Sequence, residues 1–178
     1  MKTLKQLLLL LTLITTITLT SCSTDEAGGD GTAPSGILTA TVDGKSYKSL
    51  EISSSATVAN AGGIKNLVVI ASNSDGNAFA ITIFGYEGEG TYELTGANLG
   101  VTNIASYTST DVNLANPTAS TTQIWSAPYN DTKVGIVTVT EESDTKVIGT
   151  FSFKAKDSTG GSVIDVTNGA FNLKKQTT

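Results

Sequence analysis

The chain has 178 residues, a formal charge of −5 and 15% charged residues, which leaves room for one domain of ordinary size. It contains no histidine, the commonest general base and transition-metal ligand, and its single cysteine, Cys22, excludes an internal disulfide or a thiolate metal cluster. All eleven basic residues are lysines and acids outnumber them, so the arginine-rich positive footprint that neutralises nucleic-acid phosphates is missing and no nucleic-acid partner is expected.

The N-terminus runs from Lys2 and Lys5 into an apolar stretch that continues from Leu7 to Leu19. A charged start followed by a short apolar segment is the form of an export signal, and roughly 14 residues are too few to cross about 30 Å of hydrocarbon. Residues 1–21 are therefore expected to be a signal peptide. Leu19-Thr20-Ser21-Cys22 resembles the lipobox of bacterial lipoproteins, where cleavage before the cysteine leaves its sulfur to carry a diacylglycerol. The resemblance implies lipidation at Cys22 and a membrane partner reached through that anchor. Each buried methylene contributes about 0.8 kcal/mol, so two or three acyl chains hold a protein where one is marginal. With the leader gone, nine lysines face sixteen acids, a formal −7.

Asp25 and Glu26, just behind the cysteine, resemble the surface-export signals of Bacteroidota lipoproteins; a merely hydrophilic linker is the plainer alternative. The resemblance implies an outer-membrane location, exposed at the cell surface. Ala27 to Ser35 has no apolar periodicity and is rich in chain breakers, so residues 22–35 are expected to be a flexible tether with a reach of about 20 Å.

Residues 36–178 are expected to form a single all-β domain. Leu38, Ala40 and Val42 alternate with threonines, and Asp43-Gly44 then turns the chain into Lys45–Leu50, a hairpin signal. Leu67–Ala71 is a continuous apolar run suited to the middle of a sheet. After the turn Asn73–Asn77, Phe79, Ile81 and Ile83 share a face. Shorter strands are expected at Thr91–Thr95, Ile104–Thr108 and Thr121–Trp125. Lys133–Thr140 and Lys146–Lys156 flank a polar turn, with Val147, Gly149, Phe151, Phe153 and Ala155 on the buried face. Ser162–Thr167 is expected to kink at Asn168-Gly169 into Ala170–Lys174. This spacing favours an antiparallel β-sandwich of meander hairpins, with a partly open barrel as the alternative.

Ala40-Thr41-Val42-Asp43-Gly44-Lys45, Gly135–Thr140, Ile148–Phe153 and Val166–Phe171 resemble an uncharacterised family of small Bacteroidota lipoproteins. That likeness covers the two ends of the domain and implies architecture and address, with no catalytic residue.

Several residues invite a chemical reading. Asn73, Asp75 and Asn77 alternate oxygens as a calcium loop does, but Ala78 and Phe84 stand where that loop needs Gly and Glu, so a turn is expected and no metal or cofactor. Glu87 and Glu89 lie beside Tyr86, and paired carboxylates are what a glycosidase needs when they face each other across a sugar, yet solvated turn residues account for them, as they do for Glu141, Glu142 and Asp144. Ser152 and Lys154 fall on the wet face of a strand, which does not suit Ser–Lys catalysis. Trp125 and Tyr129, four apart across a proline turn, are candidates for a glycan-stacking platform; a buried core Trp explains the first equally. Asp157-Ser158-Thr159 resembles the short O-glycosylation signal of exported Bacteroidota proteins, with Ser158 as the acceptor.

The leading expectation is a non-enzymatic envelope lipoprotein that presents a β-sandwich to a glycan, an envelope component or a protein partner. A glycan hydrolase using an acidic pair is the rival, and a structural or assembly role in an outer-membrane complex is the third reading.

Overall fold

The computed structural model describes residues 31–97, 100–159 and 161–177; Cys22 and the leader lie outside them. Eleven strands account for most of that chain: β1 (Ile37–Val42), β2 (Lys45–Lys48), β3 (Ser54–Ala61), β4 (Ile64–Ser72), β5 (Ala78–Phe84), β6 (Gly90–Thr95), β7 (Ile104–Asp111), β8 (Thr121–Ala127), β9 (Lys133–Glu142), β10 (Lys146–Asp157) and β11 (Val163–Thr177). Two 3-10 turns, Glu51–Ser53 and Pro117–Ala119, are the only helical pieces among the described residues. The all-β expectation therefore holds.

Hydrogen bonds join all eleven strands into one mixed sheet that folds over on itself. One layer runs β2-β1-β11-β10-β9-β6 and the other β3-β4-β5-β7-β8. The layers are joined at two corners by the long strands. The end of β10 leaves its own layer to pair Lys156 and Asp157 with β8, and the end of β11 pairs Lys175–Thr177 with β3. That second pairing is parallel, a departure from the purely antiparallel expectation, and the two corners do not make a clean barrel.

Aromatic side chains fill the space between the layers. Phe79 on β5 meets Phe151 and Phe153 on β10 at ring-centroid distances of 5.5 and 6.3 Å, and Tyr47 on β2 stands edge-on to it at 4.8 Å. The Tyr47 hydroxyl, otherwise an unsatisfied group inside the core, donates to the Ala71 carbonyl on β4 at 2.9 Å. Burial and the neighbouring Tyr107 hold that phenol well above its ordinary ionisation range.

Three phenylalanines in this layer depend on glycines directly across the ladder. Phe153 lies opposite Gly135, Phe171 opposite Gly149 and Phe151 opposite Gly169. A methyl group on each glycine would come within 2.4 Å of Phe153 Cβ, 2.4 Å of Phe171 Cζ and 2.5 Å of Phe151 Cδ2 respectively. At Gly149 and Gly169 the missing side chain lets the ring lie down over the neighbouring strand, and at Gly135 it lets the β10 backbone at Ser152 and Phe153 come close.

Turn chemistry follows the sequence. Asp43 and Gly44 both have positive φ, 47° and 78°, as a two-residue hairpin requires, and Asp43 Oδ1 also accepts from Asp165 N at 2.8 Å. The expected kink in the last strand is a bulge: Asn168 sits at φ 52°, and the ladders to β1 and β10 both shift register there.

Two parts of the architecture differ from expectation. Ser54–Ala61 is a full strand, and β6 skips its sequence neighbours to pair with β9 in the other layer. Five residues expected to belong to the tether, Gly31–Ser35, lie against the first layer: Ala33 is buried, Asn172 Nδ2 donates to its carbonyl at 3.4 Å, and Gly36 N donates to Asn172 O at 2.7 Å. Backbone hydrogen bonds to an outward-facing asparagine are what hold this stretch in place.

Adding one methyl group at Gly135 should destabilise the fold by about 1–3 kcal/mol, the usual range for overpacking a filled core. Serine at outward-facing Thr138 should change stability by less than about 0.5 kcal/mol. Chemical denaturation of Gly135→Ala and Thr138→Ser checks this, and equal midpoints would contradict it.

Candidate functional site

The residues singled out from sequence do not converge. Trp125 on β8 is a core residue, 9% exposed, whose ring lies 6.0 Å from Tyr107 and whose indole N–H donates to Ser162 Oγ at 3.0 Å. Its neighbours on β8 alternate, so the ring points between the layers, where no sugar reaches it. Tyr129 is exposed, and no ring contact joins it to Trp125 among the described residues. The structure places the two expected platform residues apart in environment, Trp125 in the core and Tyr129 at the surface.

Ser158 is exposed at the tip of the turn after β10. The preceding Asp157 is buried and organises that turn, accepting from Thr159 N at 3.0 Å and from Gln123 Nε2 at 3.0 Å. Asn73 likewise spends its side-chain oxygen within its turn, accepting from Asp75 N at 3.0 Å and Asn77 N at 2.9 Å, while Asn77 Oδ1 accepts from Thr110 N. These oxygens close a hairpin. Among the described residues no group of three or more His, Cys, Asp or Glu is placed to hold a metal.

The structure does assemble a polar cluster that sequence spacing conceals. Glu142, at the end of β9, is 13% exposed and accepts from Lys175 Nζ of β11 at 2.7 Å, with Lys65 Nζ of β4 at 3.7 Å from the same oxygen. Lys65 also stands 5.0 Å above the Tyr86 ring, and Glu89 Oε1 lies 3.4 Å from Glu142 N. Three strands and the β5–β6 loop thus meet on one carboxylate. Burial pushes the Glu142 carboxyl up, but Lys175, the adjacent Tyr86 hydroxyl and Lys65 together outweigh it and hold it below the usual carboxylate range. Tyr86, buried at 1% exposure beside that charge, is pushed far above the ordinary phenol range by burial first and Glu142 second. A carboxylate held this firmly ionised is a charge anchor; a general acid needs the opposite shift.

The second feature is a face. Along β3, β4, β5, β7 and β8 the inward positions carry the core, and the outward positions are Ser, Thr, Ala, Asn, Val, Ile and Phe throughout. The row Ser55, Ile70, Ala80, Ser106, Ser126 crosses all five strands in register, and the first charge along it is Lys156 on β10. No outward residue of these five strands is charged. Ile64, Ile70, Phe84, Ile104 and Ile124 are 37–50% exposed there.

The opposite layer carries the ion pairs: Lys133–Glu93, Lys146–Glu141 and Lys154–Asp165 at 2.9 Å each, and Lys174–Glu51 at 2.7 Å. Its outer surface also holds a depression of about 260 Å³, lined by Thr32, Thr39 and Thr150 beside the Asn168-Gly169 bulge. One side of the sandwich is thus charged and touched by Gly31–Ser35, the other flat and neutral.

Residues 35–173 match the family model described as a domain of unknown function, DUF6252, and the chain belongs to that family. No curated protein and no solved structure matches it. The match begins within the packed Gly31–Ser35 stretch and spans the whole sandwich except the last residues of β11.

Because Glu142 is held ionised in the fold, it contributes stability above the ordinary carboxylate range and loses it as pH falls through its lowered folded value. Melting of the wild type and Glu142→Gln from pH 7 down to pH 3 should show a gap that is widest at neutral pH and closes in acid. A gap that stays constant would contradict the charge-anchor role.

Proposed function

We propose that this chain is a non-enzymatic lipoprotein of the bacterial cell envelope, anchored through Cys22 to the outer membrane and presenting the neutral sheet face as its docking surface. The observation that carries the reading is the asymmetry of the sandwich. Gly31–Ser35, the stretch leading back towards Cys22, packs on the charged layer, and the face free of charge lies on the other side.

The physical support is direct. Surfaces that meet only water favour interspersed charges of both signs, and this chain places them on the outer face of one layer and omits them from the outward positions of the other, whose Lys65 and Asp111 sit only near strand ends. Neutral groups cost less to desolvate than charged ones, so such a face suits a partner held by shape and apolar contact. Of the acids near the β5–β6 loop, Glu142 is paired with Lys175 and Lys65, which favours its reading as a charge anchor over an acid catalyst. The exposed turn around Ser158, braced by Asp157, is accessible to the O-glycosylation its sequence resembles.

Intact mass of the full chain purified from membranes tests the anchor and the modification together. The expected product begins at Cys22, carries acyl chains, and bears an added glycan mass that Ser158→Ala removes. Cys22→Ser should wash free of the membrane. A product that keeps residues 1–21, or that carries an unmodified thiol, would contradict the anchor; a mass without glycan would remove the Ser158 assignment alone.

A further inference from the structure

We infer that the occupant of the neutral face is a second copy of this chain, paired back to back through β3, β4, β5, β7 and β8 about a two-fold axis. The inference rests on the reading of that face as a docking surface and names its partner.

Size is the first argument. Five strands about 4.8 Å apart, with about 3.3 Å per residue along strands of seven to nine residues, give a face of roughly 24 by 26 Å, on the order of 600 Å² a side. Two such faces bury on the order of 1,200 Å², the lower bound for a specific, stable protein interface.

Charge is the second. The chain carries a net −5, so two copies repel through most relative orientations. Apposing the neutral faces puts no charged residue at the centre of the contact, with Lys156 only at its β8 edge, and places the ion-paired layers on the outside of the pair, farthest apart. A two-fold interface requires a surface complementary to itself, and a charge-free one meets that condition without any pairing of signs.

Relief is the third. Exposed Ile70 stands in register beside Ala80, so a bulky residue lies next to a small one at the middle of the face, and a rotated copy supplies the complementary step. Sheets stack at about 10 Å when such side chains interdigitate. Gly31–Ser35 lie on the opposite layer, so both copies keep their route to the membrane.

The test is the mass of the detergent-solubilised full chain by sedimentation, with variants that place one lysine on either side of the sandwich. Ala80→Lys puts an ammonium at the centre of the neutral face, where two copies would bury two like charges; Ser46→Lys adds the same charge on exposed β2 of the other layer. Both positions are outward, and circular dichroism melts confirm the fold of each variant. The expected result is two copies per particle for the wild type and Ser46→Lys, and at least about a hundredfold weaker pairing for Ala80→Lys. Pairing that survives Ala80→Lys overturns the inference.

A wild type that sediments as one copy up to about 100 µM also overturns it. Carbene footprinting of Ile70 and Ile124 on intact cells then separates the two levels. Protection there by a glycan or another envelope protein leaves the docking reading standing, and full labelling ends both.

Discussion

Two aromatic rings lying over two glycines, Phe171 over Gly149 and Phe151 over Gly169, set the geometry of the β10-β11 ladder, and a third glycine, Gly135, lets β10 come close to β9. Phe153, Phe151 and Phe171 stack in sequence, with centroid separations of 6.0 and 6.4 Å and interplanar angles of 26° and 27°, and the rings of Phe151 and Phe171 occupy the volume that a side chain on Gly169 or Gly149 would fill. Each buried phenylalanine contributes on the order of 1.5–3 kcal/mol, and aromatic contacts add to that. Because the rings lie down along the sheet, they present their edges to Phe79 of the other layer. The two layers are registered through that contact.

The same ladder explains how the layers are joined and why their outer faces differ. β10 and β11 are the longest strands, 12 and 15 residues, and antiparallel, so their free ends emerge at opposite corners and reach β8 and β3 respectively. Near that end of β11, Lys175 bridges to the half-buried carboxylate of Glu142. With the strands of the first layer carrying the exposed Lys, Asp and Glu pairs and the Gly31–Ser35 stretch, the outward positions of the second layer are left to small polar and aliphatic residues and Phe84. The proposed anchoring at Cys22 and the proposed pairing of neutral faces use opposite sides of one sandwich.

Much of this was legible before any coordinates. Strict alternation in Val147–Ala155 and the Asp43-Gly44 and Asn168-Gly169 signals placed the strands, hairpins and bulge correctly, because large inward residues and positive-φ turns leave unambiguous traces. Strand β3 escaped because its inward positions are Ser54, Ala56 and Val58, with only one large apolar side chain to mark the period; its partners on both sides supply the hydrophobic surface. The crossing of β6 to β9 escaped because nothing local tells a strand which sheet it will join. Of the candidate sites, Trp125 went to the core, since its indole N–H found a partner in Ser162 from 37 residues away. Lys65, Tyr86, Glu142 and Lys175 are scattered along the chain and had no spacing to betray them. The neutral face was hidden for a related reason: each strand shows only a few uncharged outward residues, and their significance appears only when five strands lie side by side.

A double-mutant cycle at Gly149 and Phe171 tests the ring-over-glycine constraint most directly. Gly149→Ala crowds the ring, Phe171→Leu removes its far edge, and the account predicts that the losses are not additive: the double variant is more stable than the sum of the singles by at least about 0.5 kcal/mol. Additive losses, within error, would show that the glycine and the ring are independent and that the ladder is held by something else.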